Sequence, residues 1–124
     1  MTAQRHIRFE DRELQSAFIR ALDRAQITYT LDSMGAVLFG ETDANAVTQA
    51  AHQVRDAQFP WYFLKWKTEP ESARFRAALA QAGLPFFVEQ HESGTWFLVR
   101  RADRAQHDQL WPGVPDETGE YPRT

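Results

Sequence analysis

Short stretches in which hydrophobic and polar residues alternate are separated along the chain by longer stretches with helical periodicity. The alternation in His6–Phe9 and Ile27–Asp32 predicts strands, because successive strand residues point to opposite faces. Between them Leu14, Phe18 and Leu22 recur at four-residue steps, which predicts a helix with one buried face. In total, the pattern predicts six strands and four helices. The further strands are Ala36–Phe39, Trp61–Lys67, Leu84–His91 and Thr95–Arg101, and the further helices are Ala44–Gln58, the segment between Thr68 and Gly83, and Arg104–Trp111.

Residues 7–39 and 64–98 repeat one pattern. An offset of 57 residues places Phe18 on Phe75. Similarity at a fixed offset predicts that one supersecondary unit is used twice. The same offset pairs Ile7 with Leu64, Phe9 with Trp66, Leu22 with Leu79, Ile27 with Leu84, Tyr29 with Phe86 and Leu31 with Val88, and after two extra residues Val37 matches Trp96 and Phe39 matches Leu98.

The order of the predicted elements defines the fold class. It predicts an α+β domain made of a duplicated βαββα unit, with a ferredoxin-like antiparallel or mixed sheet and helices on one face. We predict a single domain over residues 1–111, with repeats at about 5–58 and 61–111. Residues 112–124 contain three prolines and two glycines, and we predict a mobile C-terminal tail there.

Composition and charge narrow the possible functions. The 124 residues fit one domain with one core, and the absence of cysteine excludes disulfides, thiolate metal sites and cysteine nucleophiles. The N-terminal stretch lacks the apolar region of a secretory signal, and the longest apolar run, Phe59–Leu64, is far shorter than a membrane span. We therefore expect a cytoplasmic protein with no membrane partner. The net charge of −3 disfavours nucleic acid and suits a basic protein partner.

Strand alternation and the repeat together predict which side of the sheet stays uncovered. Matched apolar residues should face the helices, which assigns Trp96 and Leu98 to the core side. The opposite side of the second unit then carries hydrophobic side chains among charged ones, which is typical of an interaction surface. The alternatives are that the tail, a homodimer or closure of the sheet covers this side. The hydrophobic residues concerned are Trp61, Phe63, Phe87, Phe97 and Val99.

Candidate chemical groups are few. Glu89 and His91 lie two residues apart on one predicted strand and point the same way, with Glu92 beside them at a turn and His6 on another strand. Histidine and carboxylate side chains bind metals, but this spacing matches no zinc motif. The serines lie at helix starts and turns, where capping explains them, and no nucleophile elbow is present. The sequence therefore predicts no catalytic residue, metal or cofactor.

Of three further resemblances, to RNA-binding folds, ACT-like modules and vicinal-oxygen-chelate enzymes, we keep the first two as alternative functions and set the third aside. The aromatics and lysines of Trp61–Lys67 would suit RNA binding, although the RNP1 pattern is absent and the net charge is negative. The βαββαβ order of the first six elements resembles ACT-like regulatory modules, which bind small molecules at strand–helix junctions. Vicinal-oxygen-chelate enzymes also have paired repeats, but their modules carry a strand where this chain has the alanine-rich helix 44–58.

In size, mild acidity, lack of cysteine and aromatic surface, residues 1–111 resemble bacterial toxin-immunity proteins, including those of contact-dependent inhibition systems. The resemblance is one of overall type. It implies that the chain is not an enzyme and neutralises a basic toxin domain by direct binding. Acidic groups would then steer association and aromatic groups would anchor the toxin. The predicted partner-binding residues are Trp61, Phe63, Phe87, Glu89, His91 and Phe97, with the acidic Asp32, Glu41, Asp43 and Glu92.

Overall fold

A computed structural model describes residues 4–113, 115 and 117–120, the last four by their backbone alone. The described chain has an α+β arrangement, which confirms the predicted class. Its strands are β1 (Arg5–Phe9), β2 (Thr30–Leu31), β3 (Val37–Phe39), β4 (Trp61–Lys65), β5 (Phe86–His91), β6 (Gly94–Arg100) and β7 (Glu117–Glu120). Its helices are α1 (Arg12–Arg24), α2 (Ala44–Asp56), α3 (Glu69–Ala82) and α4 (Arg104–Leu110), and short 3-10 turns at Glu41–Asp43 and Arg101–Asp103 precede α2 and α4.

Local capping residues determine where two helices begin. Asp11 Oδ1 accepts a hydrogen bond of 3.1 Å from the Leu14 amide, and Thr68 Oγ1 accepts one of 3.3 Å from the Glu71 amide. Each satisfies an amide that the first turn leaves without an intrahelical acceptor. Gly83 ends α3 at φ 69°, in the left-handed region that favours glycine.

The predicted strand Ile27–Asp32 is largely wrong, because only Thr30 and Leu31 form β2. The Ile27 amide still donates a hydrogen bond of 3.0 Å to the Leu22 carbonyl, and Gln26 has a φ of 58°. Gln26 and Ile27 therefore belong to the C-terminal end of α1, although the alternation of polarity predicts that a strand begins at Ile27.

The strands form one antiparallel sheet in the order β2-β3-β1-β5-β6-β4-β7. We call β1–β3 with α1 and α2 unit one, and β4–β6 with α3 and α4 unit two. Both units place their strands in the same relative order, and β1 meets β5 at the junction, with Ile7 opposite His91 and Phe9 opposite Glu89. The antiparallel sheet is thus confirmed, while its derivation from a duplicated ferredoxin-like unit stays a prediction.

The helices cover both faces of the sheet, so the predicted one-sided arrangement is wrong. Phe9 packs with α1 and α2, whereas Val88 packs with α3. Phe9 pairs with Glu89 and shares its face, and Val88, the residue before Glu89, points to the other face. We call the face that bears Phe9 face A and the one that bears Val88 face B.

The handedness of strand–helix–strand crossovers explains this division. The connections β1-α1-β2 and β4-α3-β5 each join two parallel strands and run towards the same edge of the sheet. However, β4 points in the opposite direction to β1. A right-handed crossover from a reversed strand places its helix on the opposite face. Unit one therefore covers face A and unit two covers face B.

The core has a part on each face. On face A, one cluster lies beneath α1 and α2, and a smaller one lies near the end of α2. On face B, a third cluster lies beneath α3 and α4. The first comprises Ile7, Phe9, Leu14, Phe18, Ala21, Leu22, Val37, Phe39, Val47, Ala50, Ala51 and Val54, the second Trp61, Phe63 and Leu98, and the third Tyr62, Leu64, Trp66, Phe75, Leu79, Val88, Phe97 and Val99.

The structure places a strand within the predicted C-terminal tail, at residues 117–120. These residues form β7, which pairs with β4 through four positions, including Leu64 opposite Thr118 and Phe63 opposite Gly119. The sequence Glu-Thr-Gly-Glu is intrinsically a poor strand former, so local pattern did not reveal it. Residues 114, 116 and 121–124 of the predicted tail lie outside the described residues.

Candidate functional site

A buried network of charged and polar groups lies on face A, between α2 and the middle of the sheet. The Arg55 guanidinium donates two hydrogen bonds to the Glu89 carboxylate, from Nε to Oε2 at 2.8 Å and from Nη2 to Oε1 at 2.6 Å. His91 Nε2 lies 2.8 Å from Glu89 Oε1, and His52 Nδ1 lies 2.9 Å from Arg55 Nη1. Since arginine cannot accept a hydrogen bond, His52 accepts at Nδ1.

Aromatic rings enclose this network. The Arg55 guanidinium carbon lies 4.8 Å from the centre of the Phe63 ring, 5.6 Å from Trp61 and 5.8 Å from Phe9. Arg55 is 2% exposed and Glu89 is 0% exposed. If one partner of such a fully desolvated, bidentate pair is removed, the other remains as an uncompensated buried charge, which strongly destabilises the fold. The network therefore joins α2 to the sheet, and only His91, with 13% of its side chain exposed, leads towards the surface.

The ionisation of Glu89 responds to the same surroundings. Burial by itself would raise its pKa, but the charge of Arg55 and hydrogen bonds from His91 and Arg55 outweigh burial and lower the pKa to about 2. The carboxylate thus stays charged well into the acid range. It is a structural anion here and not a proton donor poised near neutral pH.

We expect the protein to lose stability as the pH falls from about 4.5 to about 2. The contribution of Glu89 is complete above its ordinary pKa of 4.5 and is lost as the pH falls through its folded-state value of about 2. At about 1.4 kcal/mol per pKa unit, the loss is about 3 kcal/mol. Urea unfolding across this pH range measures it. A Glu89→Gln variant should show a shallower decline, and equal acid sensitivity of the two proteins would contradict the assignment.

The structure removes the predicted exposed aromatic surface. Trp61, Phe63 and Phe97 are 0%, 8% and 1% exposed, and Phe87 is half-buried. Trp61, Phe63 and Phe87 do point away from α3, as predicted, but α2 and Phe59 cover them. The prediction for Phe97 names the wrong face, since Phe97 pairs with Val88 and both belong to the face B cluster.

The buried aromatics also bear on RNA binding. That alternative needs Trp61 and Phe63 on an open sheet surface, where bases can stack on them. Both residues instead form part of the core, so we do not retain RNA binding among the proposals.

The predicted polar residues lie in three parts of the structure, which are the buried network, the β2–β3 turn and one end of the sheet. Glu89 and His91 belong to the buried network, and Glu89 cannot reach a partner. Asp32 lies in the β2–β3 turn, where its carboxylate accepts hydrogen bonds from the Ala36 and Met34 amides, and these bonds lower its pKa. Asp32 therefore has a local role in the turn.

Glu41 and Glu92, by contrast, come together at one end of the sheet. Arg5 Nε lies 3.9 Å from Glu41 Oε1 and 3.6 Å from Glu92 Oε1, and all three side chains are at least one-third exposed. Glu92 also accepts a hydrogen bond of 3.0 Å from the His6 amide. Asp43 lies in the same 3-10 turn as Glu41. Four of the predicted polar residues, counting His91 next to Glu92, thus share this end.

Trp96, which the repeat predicts to lie in the core, instead lies near His91, the residue before Glu92. It is half-buried on face A, its indole N–H donates a hydrogen bond of 2.9 Å to Ser93 Oγ, and its ring lies 5.3 Å from Phe63 and 5.9 Å from His91. The repeat matched it to Val37 and placed it in the core. Its pairing with Glu89 in the sheet shows that it lies outside the face B core. We call Glu41, Asp43, His91, Glu92 and Trp96 the acidic patch.

A second buried polar pair lies on face B. The Tyr62 hydroxyl and His107 Nδ1 are 2.6 Å apart beneath α4. Burial raises the pKa of Tyr62 to about 12 and lowers the pKa of His107. Both groups are therefore neutral at physiological pH, and they position α4 against β4.

Two shallow grooves border α3 on face B. One, of about 270 Å³, is lined by Glu10, Arg76 and Phe86, among others. The other, of about 140 Å³, is lined by polar groups that include Glu69, Ser72, Arg76, Gln90 and Thr95. Arg76 borders both and donates a hydrogen bond of 2.9 Å to Glu10.

Neither metal binding nor similarity to known proteins adds to this description. In the part of the chain that the structure describes, no three histidine or acidic side chains are grouped so as to hold a metal ion. No described helix combines the length and apolar character needed to cross a membrane. No family model matches the sequence, and no curated protein or solved structure is significantly similar to it.

Proposed function

We propose that this protein is a binding module that neutralises a basic bacterial toxin domain, as an immunity protein does, and that the acidic patch contacts the toxin. One observation carries the proposal. Glu41 and Glu92, from different elements, converge on Arg5 with exposed carboxylates, and the half-buried Trp96 lies near His91, the residue before Glu92. The immunity role, the cytoplasmic location and the bacterial origin that it implies rest on the resemblance of overall type described above.

The composition of the acidic patch suits an interface with a basic protein. Centres of interfaces are rich in tryptophan, and their rims are polar. Here Trp96 is held by Ser93 and by the rings of Phe63 and His91, so little side-chain freedom would be lost on binding. The carboxylates of Glu41, Asp43 and Glu92, at the same end of the sheet, would attract a basic partner from a distance and accelerate its association.

The test is binding and protection against the product of the neighbouring gene, where that product is basic and inhibits growth. Co-expression of the chain should relieve the inhibition, and the two purified proteins should form a stoichiometric complex. We expect Trp96→Ala to weaken the complex at least tenfold, chiefly through faster dissociation. We expect Glu41→Lys/Glu92→Lys to slow association and to reduce its dependence on salt concentration.

Glu13→Lys/Asp108→Lys is the matched control. It changes the net charge by the same amount at exposed positions of α1 and α4 that are outside the acidic patch. This control should bind like the wild type. Equal losses in the two charge-reversal variants would show that only overall charge matters, and unchanged binding by Trp96→Ala would remove the patch from the interface.

The alternative of an ACT-like regulatory module has one observation in its favour. The groove of about 140 Å³ beside α3 lies at a strand–helix junction and combines Glu69 with Arg76, which could hold the ammonium and the carboxylate of a small amino acid. A screen of amino acids for an increase in melting temperature tests this function, because a ligand that binds the folded state stabilises it. Loss of any such increase in Arg76→Met would locate the ligand in the groove.

We further propose that the two units arose by duplication of one βαββα element. They have the same order of elements and the same order of strands. Phe18 and Phe75, which the repeat matches, are both fully buried. In each unit a 3-10 turn that ends in an aspartate, Asp43 or Asp103, precedes the last helix. With β7 beside β4, unit two has the strand order of a ferredoxin-like sheet.

A further inference from the structure

The two units are related by a symmetry operation that, if it were repeated, would place a third unit beside the second. Their strands follow the same order across the sheet, but β4 runs opposite to β1 and the helices of the two units lie on opposite faces. Unit two is therefore related to unit one by a translation of three strands across the sheet and a half-turn about the same direction, which lies in the sheet and perpendicular to the strands. Repetition of this screw operation does not close into a ring.

A third unit in this series would place its β2 beside β4. At the internal junction, β5 of unit two lies antiparallel to β1 of unit one and is joined to it by three residue pairs. In the strand order, β2 is the counterpart of β5, and β4 is the counterpart of β1. The β2 edge of a second copy of the chain could thus pair with β4 as β5 pairs with β1. In this chain β7 occupies that position.

The β2 edge has the properties of a surface able to pair. Among the described residues, no strand pairs with its outer side. The Asp32 amide donates to the Ala36 carbonyl across the β2–β3 hairpin, so by alternation the Leu31 amide points away from β3. Leu31 and Met34 are 50% and 72% exposed. Residues 28–31 include neither a charged side chain nor a proline, two features that often protect a sheet edge, although β2 itself is only two residues long.

We propose that β7 is a capping strand. It occupies the β4 edge that would otherwise pair with β2 of a second copy, and so prevents head-to-tail assembly of the protein. The cap is short and intrinsically weak, since its sequence Glu-Thr-Gly-Glu includes glycine and two residues that disfavour strands. The β4 edge that it covers consists entirely of buried residues. Loss of the cap would therefore expose the backbone of an edge strand that is hydrophobic over Trp61–Leu64 and ends in Lys65, at the opposite edge of the sheet from β2.

The test measures molar mass by light scattering, over a wide range of protein concentration, for the full chain and its variants. Thr118→Pro/Gly119→Pro removes adjacent amides of β7, one of which must point towards β4. We expect the wild type to be monomeric. The double-proline variant should rise above twice the monomer mass and continue to grow with concentration, because head-to-tail pairing is open-ended.

Two further variants make the experiment specific. Thr118→Val changes the same position but keeps the amide and favours a strand, so it should stay monomeric. Adding Leu31→Pro to the double-proline variant removes the outward amide of β2 and should return the protein to a monomer. The Arg101 amide donates to the Pro60 carbonyl, so by alternation the Phe63 and Lys65 amides point towards β7. Hydrogen exchange of these two amides reports whether β7 has left β4.

Each other result overturns the proposal. An oligomeric wild type would show that β7 does not cap the edge. A double-proline variant that stays monomeric also overturns the proposal, whatever its hydrogen exchange. Unchanged exchange at β4 would mean that β7 does not protect β4. Faster exchange would mean that β7 has left and that the open β4 edge does not assemble. A mass that stops at the dimer, or that is insensitive to Leu31→Pro, excludes pairing between β4 and β2. None of these results bears on the toxin-binding proposal, whose variants lie in the acidic patch.

Discussion

Replacing Arg55 by methionine is expected to destabilise the protein by about 3–5 kcal/mol, because it leaves the Glu89 carboxylate charged, buried and without its bidentate partner. The side chain of Arg55 also packs among three aromatic rings, and methionine retains part of that contact. The loss would thus be mainly electrostatic. Urea unfolding at neutral pH measures it.

The double variant Arg55→Met/Glu89→Leu distinguishes the electrostatic loss from a loss of packing. Because it removes both charges, it should be more stable than Arg55→Met, with a recovery of at least about 2 kcal/mol. Arg24→Met, on the exposed face of α1, should change stability by less than about 0.5 kcal/mol. A double variant no more stable than Arg55→Met would mean that packing of the arginine side chain, and not pairing of charges, holds α2 to the sheet.

Replacing Phe75 by alanine is expected to destabilise the protein by about 3–5 kcal/mol. The Phe75 ring is fully buried, with its centre 4.1 Å from the Trp66 ring and 5.2 Å from the Phe97 ring. It also approaches His107 from α4, at 6.4 Å, so α3 and α4 share this contact. Its removal would leave a cavity that rigid aromatic neighbours cannot fill.

Phe59→Ala is the matched control, since the same atoms are removed from a half-buried ring that stacks on Phe87. We expect this variant to lose less than half as much stability as Phe75→Ala. Thermal and urea unfolding of both variants provide the comparison. Similar losses at the two positions would show that the face B cluster is less tightly packed than its burial indicates.

The acidic patch was only partly predictable. Glu41, Asp43 and Glu92 are charged residues next to turns, and their types alone suggested exposure. Their assembly depends on Arg5, which β1 brings between the 3-10 turn and the β5–β6 turn. The repeat placed Trp96 on the wrong side of the sheet, because β6 is hydrophobic at successive positions and so lacks an alternation that would distinguish its faces.

Local sequence determined the helices, most of the strands and the α+β class of this protein. Caps such as Asp11, Thr68 and Gly83 act within one turn of the chain, so their effect needs no distant partner. The tertiary structure alone decided that α2 covers Trp61 and Phe63, that Arg55 meets Glu89 across 34 residues, and that β7 joins the sheet. The reason is physical. The first two depend on the direction of β4 relative to β1, and a strand has the same pattern of hydrophobic residues whichever way it runs. The third depends on the edge that β4 offers to a segment whose own strand propensity is low.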